Sequence, residues 1–224
     1  GAISYGWTSA TKIINSLLQR NTADQAGGAI SAGAGLFIED SVIQNNQVTS
    51  VEANPLGGGG IYSDYAEVTI TRTLIQGNRA VNSEYGGGGV YCKECILNLT
   101  NSTIRDNLAD LSSNGGGLAG DAYSSWVIEG STISGNSAEQ GSGGGIYFSD
   151  ANGELLLITN STISGNTALL GGGLALDFTD VDGSVSIRYT TIADNNALAL
   201  LVGGGAIFIN PNSAPVALSR SIIY

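Results

Sequence analysis

The chain has 224 residues, with 34 glycines and three prolines but no Gly-X-Y period, which excludes collagen and proline-rich disorder. Eight basic residues against nineteen acidic ones leave a net charge of −11 and no Lys/Arg run to meet a polyanion, which excludes nucleic acid as a partner. Histidine is absent, which removes the usual general base and the commonest transition-metal ligand. No apolar run reaches the ~20 residues of a membrane span, and no basic-then-apolar leader is visible.

In chain order, one pattern recurs. "SLLQRNTA" ends its turn at Asn21, "SVIQNNQV" at Asn46, "TLIQGNRA" at Asn78, "STIRDNLA" at Asn107, "STISGNSA" at Asn136, "STISGNTA" at Asn166 and "TTIADNNA" at Asn195, at intervals of 25, 32, 29, 29, 30 and 29 residues. Each asparagine is followed by a loop of varying length and a glycine block, the later ones opening at Gly57, Gly86, Gly115, Gly143, Gly171 and Gly203. Within each unit, apolar residues hold three registers. One column runs Ile13, Ile38, Ile70, Leu99, Ile128, Ile158 and Ile187; a second runs Leu18, Ile43, Ile75, Ile104, Ile133, Ile163 and Ile192; a third, after the glycines, runs Ile30, Ile61, Val90, Leu118, Ile146, Leu174 and Ile207. Period-two alternation around these positions marks half-buried strands, and no segment shows helical periodicity.

Three short strands cannot bury a face alone, whereas stacked repeats bury all three columns inside a tube. The expected fold is all-β: a right-handed single-stranded parallel β-helix of about seven to eight coils, three short strands per coil, forming a rod on the order of 35 Å long. Residues 1–224 read as one domain without a polar cap at either end, as in a fragment of a longer solenoid or a subunit that stacks head-to-tail.

The corner residues support this reading. Before the asparagines stand Arg20, Asn45, Gly77, Asp106, Gly135, Gly165 and Asp194, nearly all types that tolerate a left-handed backbone. Asn21, Asn46, Asn78, Asn107, Asn136, Asn166 and Asn195 are expected to stack as an amide ladder. Ser16, Ser41, Thr73, Ser102, Ser131, Ser161 and Thr190 form an internal hydroxyl ladder rather than a row of nucleophiles. Each glycine block leads into a strand without a following lysine, so it makes turns and not a phosphate loop.

"ISGNSA" followed by "GGGIY", together with "DQAGGAI", resembles the paired repeats of chlamydial polymorphic membrane proteins, over essentially the whole chain. That resemblance implies an extracellular β-helical surface protein, with adhesion as its role. The chain departs from the pattern in using Ile or Leu where the family often has Phe, and in lacking a C-terminal membrane barrel.

Side-chain chemistry is sparse. Asp64, Glu94, Asp121 and Asp150, then Asp177, Asp180 and Asp182, are expected along one edge, where like charges repel unless loops diverge or a cation intervenes. They serve as turn formers, or Asp177, Asp180 and Asp182 bind calcium; no other cofactor is expected. Tyr62, Tyr91, Tyr147 and Phe208 make an outward aromatic file interrupted by Ala119 and Ala175, and Thr103, Thr132, Thr162 and Thr191 make an outward hydroxyl file. Cys92 and Cys95 in "CKEC" point to a local disulfide, with a buried free thiol as the alternative. Asn98, Asn101 and Asn160 begin glycosylation sequons. Leu198, Leu200, Leu201 and Val202, with Leu169 and Leu170 one coil below, form an apolar surface patch expected to be an interface.

The function expected is a non-enzymatic, extracellular or cell-surface structural or adhesive solenoid. Its partners would be further copies of itself stacked end to end into filaments, other surface proteins, or glycans. The alternative is a polysaccharide-binding or lyase-like β-helix.

Overall fold

The computed structural model describes residues 1–224 apart from 7–9, 50–55, 82–84, 112, 122, 151–154, 179–182, 202 and 211–214. Its strands stack into four parallel sheets, three of eight strands and one of seven, with no helix among the described residues. One coil shows the plan: Ile61–Asp64 lies in sheet A, Glu67–Thr71 in sheet B, Leu74–Gln76 in sheet C and Arg79–Val81 in sheet D. A loop then returns the chain to sheet A one level further along, at Val90–Lys93.

The three apolar columns align as expected. Ile30 pairs with Ile3 and Ile61 in sheet A, Ile38 with Ile13 and Ile70 in sheet B, and Ile43 with Leu18 and Ile75 in sheet C. All of them join one continuous core, where each buried aliphatic side chain contributes roughly 1.5–3 kcal/mol. Trp126 is enclosed there against Phe148, with ring centroids 5.1 Å apart. The bare backbone of Gly120 makes the space, since a Cβ on it would stand 2.3 Å from the indole.

Four strands per coil replace the three expected. The fourth follows each asparagine and is only two or three residues long in most coils, too short to show alternation. Its inward residues Ala109, Ala138 and Ala168 form a separate small cluster, because this strand packs on the glycine block, backbone against backbone. A Cβ on Gly88 would lie 2.5 Å from the Leu108 carbonyl carbon, and one on Gly89 would lie 3.1 Å from Asn107 Nδ2. Glycine block and asparagine thus recur together because they meet where each coil closes.

The residue before each ladder asparagine has a left-handed backbone throughout, from φ 54° at Asn45 to φ 63° at Gly165. Arg20, the one exception by residue type, conforms at φ 56°. Inside this corner the asparagine ladder is continuous. Asn107 Oδ1 accepts from the backbone N–H of Asn78 at 2.9 Å and from its Nδ2 at 3.0 Å, while Asn107 Nδ2 donates to the Ile75 carbonyl at 3.1 Å and to Asn136 Oδ1 at 3.0 Å. The hydroxyl ladder is also present: the Ser102 hydroxyl donates to the Thr100 carbonyl at 2.8 Å and accepts the Thr73 N–H at 3.1 Å. Those hydroxyls hold coils together and, from Ser41 to Thr190, are sealed from solvent.

Candidate functional site: the outer face of sheet A

Side chains on sheet A alternate between the core and the opposite face. Two columns face away from the core. One reads Ser31, Tyr62, Tyr91, Ala119, Tyr147, Ala175 and Phe208; the other reads Asp64, Lys93, Asp121, Ser149, Asp177 and Asn210. The expected stack of acids is corrected here. Lys93 stands between Asp64 and Asp121, Ser149 stands between Asp121 and Asp177, and Glu94 sits one residue beyond the column at the corner. Carboxylates in the column therefore lie two coil rises apart, about 9–10 Å, rather than in contact.

The two columns are coupled. Tyr91 leans over Ala119, and its hydroxyl donates to Asp121 Oδ2 at 2.6 Å. Tyr147 leans over Ala175 in the same way and donates to Asp177 Oδ2 at 3.2 Å, and Asn210 Nδ2 donates to Asp177 Oδ1 at 2.7 Å. The alanines that interrupt the aromatic file are where the rings of the preceding coil rest. The file is not an open stacking surface: Tyr62 and Tyr91 are buried, with Leu56 and Ala26 packed against their cluster and Tyr85 stacked on Tyr91 at 5.7 Å.

Electrostatics follow from this enclosure. Burial, then the neighbouring Asp121 charge, raises the Tyr91 phenol, and burial followed by Asp64 does the same to Tyr62. Burial and Asp177 push Tyr147 up to about 12. These phenols stay protonated as donors. Asp121 is itself raised, by burial above all, although its bonds from Tyr91 and from the Glu94 N–H pull the other way.

At the corner between sheets A and B, Tyr65 at φ 54°, Glu94 at φ 47° and Tyr123 at φ 65° occupy a conformation suited to glycine or asparagine. Tyr65 and Tyr123 are 56% and 52% exposed. The Tyr65 hydroxyl donates to Glu94 Oε1 at 2.7 Å, and Lys93 Nζ lies 3.5 Å from Asp64 and 5.4 Å from the Tyr65 ring centre. Neither tyrosine was among the expected site residues, although bulky aromatics at a corner built for small polar residues are visible in the sequence.

Other expected site residues are spread over the rod. Cys92 and Cys95 form a buried disulfide with Cα atoms 5.5 Å apart. Asp180, Asp182 and Val202 lie outside the described residues, as does the side chain of Asp150. Among the described residues, no group of three His, Cys, Asp or Glu side chains is placed to hold a metal ion. Leu169 and Leu198 are exposed, and Leu200 and Leu201 are 98% and 95% exposed, with Leu170 partly covered. The threonine file is in register on sheet C. Asn101 and Asn160 sit at left-handed corners, with Asn98 on the outer face of sheet B. An unexpected outer ladder lies beside the threonines: Gln44 Nε2 donates to Gln19 Oε1 at 2.9 Å, Gln76 Nε2 to Gln44 Oε1 at 2.7 Å, and Arg105 Nε to Gln76 Oε1 at 3.0 Å.

Among the described residues, no helix is long and apolar enough to cross a membrane. No curated protein matches the sequence, nor does any solved structure. The model of the right-handed beta helix region does match, across residues 1–213. With its coils, parallel registers and repeat length, the chain belongs to the right-handed β-helix family.

Proposed function

We propose that the chain is a non-catalytic, extracellular adhesive solenoid whose contact surface runs along the corner between sheets A and B. The observation that carries this reading is the pair Tyr65 and Tyr123, exposed aromatics kept at left-handed positions where asparagine would be unstrained. Such a backbone costs about 1–2 kcal/mol for a bulky residue, and strain of this kind concentrates at sites of function. Tyrosine also supplies a rigid, amphipathic contact surface at small entropic cost. The resemblance to chlamydial polymorphic membrane proteins supports a bacterial surface location, and the disulfide fits an oxidising compartment. The exposed leucines at 198, 200 and 201 support self-association beside this role.

A second reading, a polysaccharide-binding or polysaccharide-degrading β-helix, is favoured by Asp121 and Asp177. Their strands stand two coil rises, about 9–10 Å, apart, a spacing that leaves room for a water between two carboxyl groups as inverting glycosidases require, and Asp121 has a raised pKa.

One experiment separates the two: the wild type and Tyr123→Asn are applied to an array of acidic and neutral glycans and to host-cell monolayers, with release of reducing sugar assayed in parallel. The adhesive reading expects binding without turnover, at least threefold weaker in Tyr123→Asn, with thermal stability equal to or above wild type because strain is relieved. Undiminished adhesion by Tyr123→Asn overturns it, and turnover lost in Asp121→Asn establishes the second reading.

A further inference from the structure

The turn from sheet A to sheet B needs no covalent bond. Its inward slot is filled by Ser63 and Ala66 in the coil before Cys92 and Cys95, and by Gly120 and Ser124 in the coil after. Only one described coil carries a disulfide there, so the fold alone does not account for it. Between the two cysteines stand Lys93 and Glu94, and these residues join three coils on the outside. Lys93 reaches back to Asp64 and to the Tyr65 ring. The Glu94 carboxylate accepts the Tyr65 hydroxyl at 2.7 Å, and the Glu94 N–H donates forward to Asp121 Oδ1 at 3.1 Å. Inside, the Cys95 N–H donates to the Ser124 hydroxyl, which donates to the Cys92 carbonyl, both at 3.3 Å.

We propose that the Cys92–Cys95 disulfide is a redox-sensitive clasp: oxidised, it pins the Lys93–Glu94 turn against Asp64, Tyr65 and Asp121, and its reduction releases that turn and loosens the outer face. The reductant is a dithiol. It supplies two electrons and two protons, leaves as its own cyclic disulfide, and converts the protein disulfide into two thiols. Both sulfurs are buried, so thiolate attack waits on local opening of the corner, which makes the change slow rather than spontaneous. Two thiols need more length than a bonded pair. The slot is hemmed in by Ser63, Ala66 and Ser124, all buried, and a close-packed interior passes that misfit to the partly exposed turn of Lys93 and Glu94. The clasp is a property of the chain itself and holds whatever partner the outer face meets.

Amide hydrogen exchange and carboxyl titration by NMR test this on the oxidised protein, on the protein reduced with dithiothreitol, and on Cys92→Ser/Cys95→Ala, which copies the slot of the preceding coil. Reduction is expected to speed exchange of the Glu94 amide by about tenfold or more and to move the Asp121 carboxyl further up, because the Glu94 N–H bond that lowers it is lost. The amides of Asn78 and Asn107 should keep their protection, and the double variant should fall between the oxidised and reduced forms. If Glu94 exchange and Asp121 titration are the same oxidised and reduced, the clasp is refuted. Equal loss of protection at Asn78 and Asn107 also refutes it, since the disulfide would then only stabilise the rod as a whole; the reduced wild type decides the matter if the double variant does not fold.

Discussion

A buried asparagine of this ladder uses every hydrogen-bonding position it has. Asn107 accepts two bonds and donates two, with no water needed. Aspartate lacks the donors, and glutamine places its amide one methylene too far along. Asn107→Leu keeps the branched outline, with bulkier methyl groups, but strands two donors of Asn78 and the Ile75 carbonyl, which costs about 3 kcal/mol or more. Asn21 is half-buried and only donates to its neighbour, at 2.9 Å from its N–H and 2.8 Å from Nδ2, so Asn21→Leu should cost less than half as much; urea denaturation of both variants checks the ratio. The ladder positions are legible in the sequence because their spacing follows the coil. The left-handed backbone of Arg20 is not legible by residue type: the stacked coils impose it against a local preference of about 1–2 kcal/mol. Direction within the ladder is likewise hidden, since it depends on amide rotamers that residue identity does not specify.

Among the elements, sheet A shows how register converts sequence into electrostatics. The alternation of Tyr91 with Ala119, and of Tyr147 with Ala175, lets each ring cross to the carboxylate of the next coil. Asp121 carries the largest consequence, because its pKa in the folded chain is raised above the unfolded value by burial. For a carboxyl raised on folding, the native state binds more protons than the unfolded one between the two pKa values. Its favourable contribution is therefore complete below the unfolded pKa and disappears as pH rises through the folded pKa. Tyr91→Phe deletes a bond that lowers this pKa, so the Asp121 titration should move further up and that loss should extend to higher pH; carboxyl NMR and denaturation from pH 3 to 8, about the range where carboxyls titrate, check both. The in-register columns of this sheet could be read from the repeat, and so could the interruption of the tyrosine file. Burial of that file could not, because the covering contacts of Leu56 and Tyr85 come from the variable loops that precede the glycine blocks. Sheet D escaped for a different reason: strands such as Thr22–Ala23 and Leu108–Ala109 are two residues long and face glycine backbone rather than apolar side chains.

For the whole molecule, contacts run almost entirely between adjacent coils, so stability is close to a sum of coil and interface contributions. Removing residues 136–165 deletes one coil and joins Gly135 to Asn166. The junction preserves the ladder, places Ala119 on Ala175 and Ile128 on Ile187, and brings Asp121 beside Asp177. The shortened chain should fold cooperatively, be shorter by about 4.8 Å, and melt below the parent because one interface and the spacing of two carboxylates are lost; scattering and calorimetry measure both. Aggregation or loss of the cooperative transition would show that the coils are not interchangeable. The position of the proposed contact surface along the rod was the least legible feature, because the repeats differ there through single corner residues such as Tyr65 and Tyr123, which no periodicity marks.

The asparagine ladder also carries an arrow. Every Nδ2 that crosses between coils points toward the C-terminal neighbour's Oδ1, from Asn21 through to Asn195. A joint that continues this ladder, whether by a duplicated coil or by a second molecule, must present an oxygen to an amino group. Two rods related by a dyad at such a joint would set oxygen against oxygen or amino group against amino group. Growth through such a joint would be polar by chemistry, and a symmetric pair of rods could not form through it.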